Sequence, residues 1–295
     1  MTARYRDAAA LRRALEARLK HDADVTGTDL ARRRRLVVFD RMAARLAEDT
    51  VGGWVLKGGA VMEFRLTERA RTTKDLDLAL RPEDGLDAEG DGVRELLIDA
   101  LAVDLDGDGF RFRVAAPAPL RADAAGRGGW RFSVEAHLAG KLFAGVRVDV
   151  VDRGEEIART EHLPLPNTLD FAGTPQRTIE AVDRRQHFAE KLHAFTRDYG
   201  GRPNTRVKDL VDLVLLAEDG LQGDATLVEV VRHVFAARAT HPVPDELPDP
   251  PPLWRETYPE LARELDTEVP PALDAALALV RGLWEKALSD ASPLA

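Results

Sequence analysis

The sequence predicts an α/β (α+β) protein, a mixed sheet with flanking helices followed by a helical C-terminal domain. The segment 75–80 alternates polar and apolar residues, as expected for a strand with one buried face. Four further apolar runs predict strands, at 54–56, 110–114, 130–137 and 142–151. The second half instead carries helical periodicity, at 182–195, 206–217 and 226–239. We therefore predict an N-terminal α/β domain, 1–165, and a C-terminal helical domain, 166–295.

Further helices are predicted around the sheet and at the end of the chain. Thr28 is a suitable N-cap for the second of them. A proline-rich link, 242–252, cannot be continuous helix and separates the last two helices from the others. The predicted segments are 4–20, 28–48, 60–66, 91–103, 255–265 and 270–288.

Composition excludes several classes of function. The 295 residues include no cysteine, which rules out disulfides, thiolate metal sites and cysteine nucleophiles. No apolar run approaches the roughly 18 residues of a membrane span, and the charged N-terminus is unlike a signal peptide, so we expect a soluble, cytoplasmic protein without a membrane partner. The net charge of −9 argues against a general nucleic-acid coat but allows a local basic pocket. The densest basic run, Arg32–Arg35, is interpreted as a solvated helix face.

Two glycines and two aspartates carry the first chemical signal. Gly58 and Gly59 follow a predicted strand and precede a helix, so the backbone can approach a phosphate closely and the helix offers free N–H groups. Asp75 and Asp77 are two residues apart on a strand and leave one face. Paired carboxylates are suitable ligands for Mg²⁺, and the Thr73 hydroxyl could bind a phosphate oxygen.

A lone D-x-D is usually a solvated pair and a lone Gly-Gly is usually a turn, but their combination is more specific. Strand, Gly-Gly, short helix and Thr-x-Asp-x-Asp occur in the order found in nucleotidyltransferases of the DNA polymerase β type. Walker A, H-E-x-x-H and G-x-S-x-G patterns do not occur in the sequence, which excludes P-loop NTPases and the hydrolases that carry these motifs.

The segment 57–80 resembles the AbiEii family of nucleotidyltransferase toxins from type IV toxin–antitoxin systems. The segment 188–194 is similar to the family's lysine motif, with Lys191 on a predicted helix. The segment 206–213 is similar to its closing R-x-K-D-x-x-D motif, which contains Arg206, Asp209 and Asp212. The resemblance covers about residues 50–220, and the motifs occur in family order.

The resemblance implies an NTP donor, Mg²⁺ and an RNA acceptor, with the tRNA 3′ end expected from characterised relatives. It also implies growth arrest as the outcome and a cognate antitoxin encoded nearby. Two alternatives remain open at the level of sequence. One is a small-molecule, aminoglycoside-like nucleotidyltransferase with the same metal site, and the other is a non-catalytic nucleotide-binding module.

The C-terminal motifs also suggest a chemical role. Lys191 could neutralise NTP phosphates as pyrophosphate leaves. Asp209 and Asp212 are neighbours on one helix face and need partners, because apolar residues surround them. Asp209 would orient Lys191 or act as general base. Asp212 would pair with Lys208 or take the role of Asp209.

These considerations give a predicted site in a cleft between the two halves. Asp149, flanked by apolar residues in a predicted strand, is the candidate for a third carboxylate. The predicted catalytic residues are Asp75, Lys191, Asp209 and Asp212. The predicted nucleotide-binding residues are Gly58, Gly59, Thr73, Lys191 and Arg206, and the predicted metal ligands are Asp75, Asp77 and Asp149.

Overall fold

The computed structural model describes residues 5–81, 89–120, 128–152, 154–263, 265 and 271–292. Within these ranges the strands are β1 (Trp54–Lys57), β2 (Asp75–Leu80), β3 (Phe110–Val114), β4 (Ala118–Pro119), β5 (Trp130–Leu138), β6 (Lys141–Asp152), β7 (Thr160–Pro164) and β8 (Thr178–Val182). The α-helices are α1 (Ala8–Thr26), α2 (Leu30–Glu48), α3 (Gly58–Leu66), α4 (Gly90–Ala102), α5 (Arg184–Thr196), α6 (Val207–Glu218), α7 (Ala225–Arg238), α8 (Trp254–Arg263) and α9 (Leu273–Ala291).

One mixed sheet contains all of these strands, in the order β3-β5-β6-β2-β1-β8-β7, with β4 paired to β5. Strand β2 lies parallel to β6 and antiparallel to β1, while β1 lies parallel to β8. The predicted site strand is therefore central, and its neighbour on one side is the strand that carries Asp149. The fold class predicted from the sequence is confirmed.

The five predicted strands are all present, with ends that differ by a residue at most. Three strands were missed. β4 has only two residues, and β7 lies at the sheet edge with mostly polar side chains, so neither has an apolar pattern to detect. The short β8 lies directly before α5, and only its last residue, Val182, fell inside the predicted helix at 182–195.

The predicted helices are also present, although two local details were wrong. Asp29, rather than Thr28, caps α2, since its carboxylate accepts a hydrogen bond from the Ala31 N–H at 3.0 Å. The run Arg32–Arg35 is half-buried rather than solvated, because α2 packs beside α1 and against the sheet. Arg32, for example, donates to the Glu63 carboxylate at 2.8 Å. The predicted helix starts at residues 4 and 270 lie outside the described residues.

Two apolar clusters form the interior. The first lies around the sheet and includes residues up to Val182, whereas the second joins α5 to α9. Helix α3 contributes to both, because Val61 and Phe64 pack in the first cluster and Met62 and Leu66 in the second. Helix α3 therefore lies at the junction between them.

The domain boundary predicted at residue 165 falls inside a segment that still builds the sheet, since β8 extends to Val182 and pairs with β1 and β7. The two-domain division itself stays a prediction. Across the described ranges, no helix is both long and apolar enough to cross a bilayer.

Candidate active site

Gly58 is required by a close approach between the end of β1 and Asp77. It begins α3 with a positive φ of 67°, a region that favours glycine. A Cβ at this position would lie 1.9 Å from the Asp77 Oδ2 atom, and both residues line one cavity. The sequence predicts a close approach of this backbone to a phosphate, whereas the first group that a Cβ would meet here is the Asp77 carboxylate. Asp77 therefore lies against a helix N-terminus, where negative charge is favoured.

Gly59 is constrained by Thr73 in the same way. A Cβ at Gly59 would lie 2.7 Å from the Thr73 Oγ1 atom. The Thr73 hydroxyl donates to the backbone carbonyl of Asp75 at 3.2 Å and so fixes the turn that leads into β2. Thr73 lies just before the strand rather than on it, and its predicted role as a phosphate ligand stays a prediction.

Three aspartates leave one face of the sheet. Asp75 and Asp77 are two apart on β2, and Asp149 on β6 is the direct partner of Asp77 in the parallel register. The guanidinium of Arg131 binds Asp149 through two hydrogen bonds of 2.7 and 2.6 Å. Arg147 donates to the Asp75 carboxylate at 2.6 Å. Two of the three carboxylates thus already have a cationic partner.

Asp77 differs from the other two. Within the described part of the chain, its carboxylate makes no hydrogen bond and no ion pair. Burial raises its pKa to about 6, and the neighbouring Asp149 acts in the same direction, against the opposite effect of Lys191 and Lys57. The Asp77 carboxylate is therefore the least compensated charge at the site.

Lys191 on α5 lies between two carboxylates of α6. Its Nζ atom is 3.1 Å from Asp209 Oδ1 and 2.8 Å from Asp212 Oδ2. Burial acts to lower the pKa of Lys191, but Asp212 and Asp209 outweigh this effect and the pKa is raised. Lys191 is thus held as a cation, in an orientation that its two partners determine.

Asp212 is fully buried and is bound from a second side by Arg71, through hydrogen bonds of 2.7 and 2.8 Å. Burial would raise the pKa of Asp212, but Lys191 and Arg71 hold it well below its ordinary value. The suggested pairing of Asp212 with Lys208 does not form, because Asp212 turns into the interior whereas Lys208 is exposed. Arg71 precedes β2, so this ion pair joins α6 to the sheet.

One cavity of about 230 Å³ brings the two halves of the chain together. Gly58, Asp77 and Asp149 line it from the sheet side, and Lys191 and Arg206 line it from the helical side. The Arg206 Nε atom is 2.5 Å from Asp209 Oδ2. The structure thus brings together five of the predicted site residues in one cavity. Asp209 and Asp212 lie behind it as buried partners of its cations, and Asp75, Thr73 and Gly59 lie beside it.

Sequence reasoning missed several residues of this site. Lys57 lines the cavity, and its ammonium is 3.1 Å from the Glu190 carboxylate and 3.8 Å from that of Glu156. Arg238 on α7 also lines the cavity and lies 2.5 Å from Glu156. Only the fold brings these distant segments together, although a lysine inside a strand directly before Gly-Gly was a usable signal.

The residues present suit a hard divalent cation bound together with phosphates. No group of three or more acidic or histidine side chains forms a complete metal site within the described ranges. Asp77 and Asp149 nevertheless supply carboxylate oxygens to one cavity. The negative charge of Asp77, which has no ion-pair partner in the described residues, favours the binding of a cation there. Mg²⁺ commonly uses one or two carboxylates and takes its other ligands from water and substrate phosphates.

The chain is similar to MenT4, a nucleotidyltransferase toxin from Mycobacterium tuberculosis H37Rv, with a TM-score of 0.57 and 21% identity over 94% of this chain and 90% of that one. An antigenic nucleotidyltransferase-like protein from Paracoccidioides brasiliensis has a TM-score of 0.41 and 14% identity, over 70% and 92% of the two chains. At 21% identity, the likeness to MenT4 concerns the fold alone.

No curated protein sequence matches the chain. The sequence model of the family described as "Nucleotidyl transferase AbiEii toxin, Type IV TA system" matches residues 41–279, which is most of the chain. The chain therefore belongs to the AbiEii family of nucleotidyltransferase toxins.

Proposed function

We propose that this nucleotidyltransferase toxin uses Mg²⁺ to transfer a nucleoside monophosphate from an NTP to an RNA acceptor, and that this transfer arrests growth. The tRNA 3′ end is the first acceptor to test, and the cognate antitoxin that the family implies would be encoded nearby. The observation that carries the proposal is the shared cavity, in which Asp77 and Asp149 lie opposite Lys191 and Arg206. Oxygen ligands on one wall and cations on the other suit a metal-bound triphosphate.

Asp77 and Asp149 would hold the metal, with Asp75 beside them on the same sheet face. When bound, Mg²⁺ would supply charge neutralisation at the phosphates of the NTP. Arg131 and Arg147 hold Asp149 and Asp75 in place before any ligand arrives. Because these arginines neutralise Asp149 and Asp75, both carboxylates can lie close to Asp77 with little electrostatic repulsion.

Lys191 would contact the triphosphate from the opposite wall. Its two carboxylate partners keep it protonated and fix its direction, and pre-oriented charge is the main way in which such sites stabilise a transition state. Arg206 would add a second cation. Both are suited to the negative charge that accumulates on departing pyrophosphate.

Asp212 is proposed to act as a positioning residue, because it is fully buried and is bound by both Lys191 and Arg71. Asp209 is 2% exposed and contacts Lys191 and Arg206, the two cations of the helical wall. This arrangement supports an orienting role for Asp209 over that of a general base, since a base must reach the acceptor hydroxyl.

The test is incubation of the purified protein with each labelled NTP and total RNA, with and without EDTA. We expect label in RNA of tRNA size, and loss of labelling when EDTA removes the metal. Lys191→Ala should reduce labelling by about a hundredfold or more, since loss of one transition-state charge contact costs on the order of 3 kcal/mol. Asp75→Ala should also reduce labelling, because Asp75 lies beside the metal ligands on the same sheet face. Expression of the same variants in cells should no longer inhibit growth.

Lys286→Ala is the matched control, because Lys286 is an exposed lysine of α9 that belongs to none of these motifs. If the protein labels an aminoglycoside but not RNA, the acceptor is a small molecule and the proposed RNA acceptor is wrong. Full activity of a folded Lys191→Ala protein would show that this cavity is not the active site.

A further inference from the structure

The segment that joins α5 to α6, residues 197–206, borders a second cavity of about 470 Å³ beside the active site. Arg197, Tyr199 and Arg202 line this cavity on one side, and the proline-rich run Pro248–Pro252 lines it on the other. Arg206, at the end of the same segment, lines the active-site cavity. The two cavities are therefore bordered by one continuous segment.

The segment carries positive charge in an acidic protein. Residues 197–206 contain three basic side chains and one acidic side chain, whereas the whole chain has a net charge of −9. The acidic residue, Asp198, accepts a hydrogen bond from the Gly200 N–H at 2.9 Å. Across the cavity, Asp249 is paired with Arg281 at 2.7 Å. Two arginines and two aspartates thus line the cavity, and because Arg281 neutralises Asp249, the net local charge is positive.

An aromatic ring lies among these arginines. The guanidinium of Arg197 is 5.5 Å from the centre of the Tyr199 ring, which is half-buried and lines the cavity. The Tyr199 hydroxyl donates to the carbonyl of Ala194 at 3.1 Å, so the ring has a fixed position. Arginines that alternate with a fixed aromatic ring are typical of surfaces that bind single-stranded nucleic acid, through phosphate contacts and base stacking.

Hydrogen bonds hold the groove in a fixed shape. The Trp254 indole N–H donates to the carbonyl of Asn204 at 2.7 Å and ties the segment to the start of α8. The Asn204 side chain donates in turn to the carbonyl of Phe195 at 2.8 Å, at the end of α5. The fixed backbone of the proline-rich run provides the opposite wall. A preformed groove lowers the entropy cost of ordering a flexible strand.

We propose that this groove, made by residues 197–206 and Pro248–Pro252, binds the single-stranded end of the acceptor RNA and leads it to the active-site cavity. The inference rests on the proposed function, because it assumes that the acceptor is RNA. Arg197 and Arg202 contact phosphates, and Tyr199 stacks on a base. The groove thus gives an acidic protein a local surface for a polyanion.

The test measures binding of a fluorescein-labelled, single-stranded oligoribonucleotide of about 10 nucleotides, by anisotropy in EDTA, where no transfer occurs. The double variant Arg197→Gln/Arg202→Gln should bind about tenfold more weakly at low salt. Its plot of log affinity against log salt should be shallower by about 1.4, or about 0.7 for each lost phosphate contact. Tyr199→Leu should weaken binding about fivefold or more, and Tyr199→Phe should bind as the wild type does.

The matched control is Arg13→Gln/Arg232→Gln, which removes the same charge from exposed positions of α1 and α7 and should leave RNA binding unchanged. ATP binding by calorimetry and thermal unfolding should be unchanged in every variant. Unchanged oligonucleotide affinity in the double variant, or loss of ATP affinity instead, would overturn the assignment, as would a wild type that does not bind the oligonucleotide.

The experiments distinguish failure of the groove assignment from failure of the proposed function. If the wild type labels RNA and the double variant binds and labels RNA equally well, the groove assignment fails and the proposed function stands. If the wild type transfers no nucleotide but binds RNA through Arg197 and Arg202, the proposed function fails and the groove stands.

Discussion

Replacement of Asp77 by asparagine is expected to stabilise the protein while abolishing nucleotide transfer. The Asp77 carboxylate has no ion-pair partner in the described residues, yet it lies beside Asp149 against the first turn of α3. Burial and the charge of Asp149 raise its pKa from 3.8 to about 6. The ionised side chain therefore costs folding free energy, which the neutral amide of nearly the same shape avoids.

The expected gain in unfolding free energy follows from the raised pKa of the Asp77 carboxyl. A rise from 3.8 to about 6 corresponds to about 3 kcal/mol, at about 1.4 kcal/mol for each tenfold change in proton affinity. Since the side chain is partly exposed, solvent screening reduces this figure to about 1–2 kcal/mol. Between about pH 4 and 6 the folded state binds the extra proton. The destabilisation of the wild type therefore grows as the pH rises through this window and is complete above it.

Urea unfolding at about pH 7.5 and about pH 4 tests this reasoning. Asp77→Asn should exceed the wild type in unfolding free energy at the higher pH and equal it at the lower. Asp75→Asn is the control, because it loses an ion pair with Arg147 and should change stability by less than about 1 kcal/mol, towards lower values. Mg²⁺ with an NTP analogue should stabilise the wild type alone. An Asp77→Asn protein less stable than the wild type at about pH 7.5 would refute the argument.

Three further changes test other parts of the structure. Gly58→Ala should lower the transfer rate about a hundredfold at saturating NTP, because its Cβ displaces the Asp77 carboxylate; wild-type rates would contradict this. Asp212→Asn should lower unfolding free energy by about 3 kcal/mol and abolish transfer, as Lys191 loses a buried partner. That stability difference should shrink below about pH 4, where the unfolded Asp212 carboxyl of the wild type becomes protonated. Asp108→Ala, which leaves the buried Arg45 of α2 without a carboxylate partner and Arg41 with Asp106 alone, should cost about 3–5 kcal/mol in urea unfolding without changing the affinity for NTP.

The sequence predicted the central strands well because their residues alternate or form apolar runs. Strand β2 was predicted from Asp75 to Leu80, the same bounds that the structure has. Sequence spacing also placed Asp75 and Asp77 on one face. It could not reveal that Arg147 and Arg131 neutralise Asp75 and Asp149, because these contacts depend on the pairing of β2, β5 and β6.

The buried network around Lys191 was only partly predictable. A largely apolar α6 indicated that Asp209 and Asp212 need partners, and Lys191 was among the candidates. Arg71, which binds Asp212 with two hydrogen bonds, is 141 residues away in the chain, so helical spacing favoured Lys208 instead. Helical periodicity identifies ion-pair partners that are near in the sequence, but it gives no information about partners that are distant in the sequence. The buried pair forms because both residues face the same interior.

The ion pair between Arg71 and Asp212 has a consequence for the order in which the chain is made. Asp77 leaves the ribosome more than a hundred residues before Lys191 and Asp212, on the order of ten seconds earlier at common elongation rates. During that interval the sheet carries its aspartates without the cation that faces them. A product truncated before residue 212 lacks the contact that holds Lys191 towards the cavity. The active-site cavity is therefore complete only once α5 and α6 have been made, and shorter products lack its helical wall.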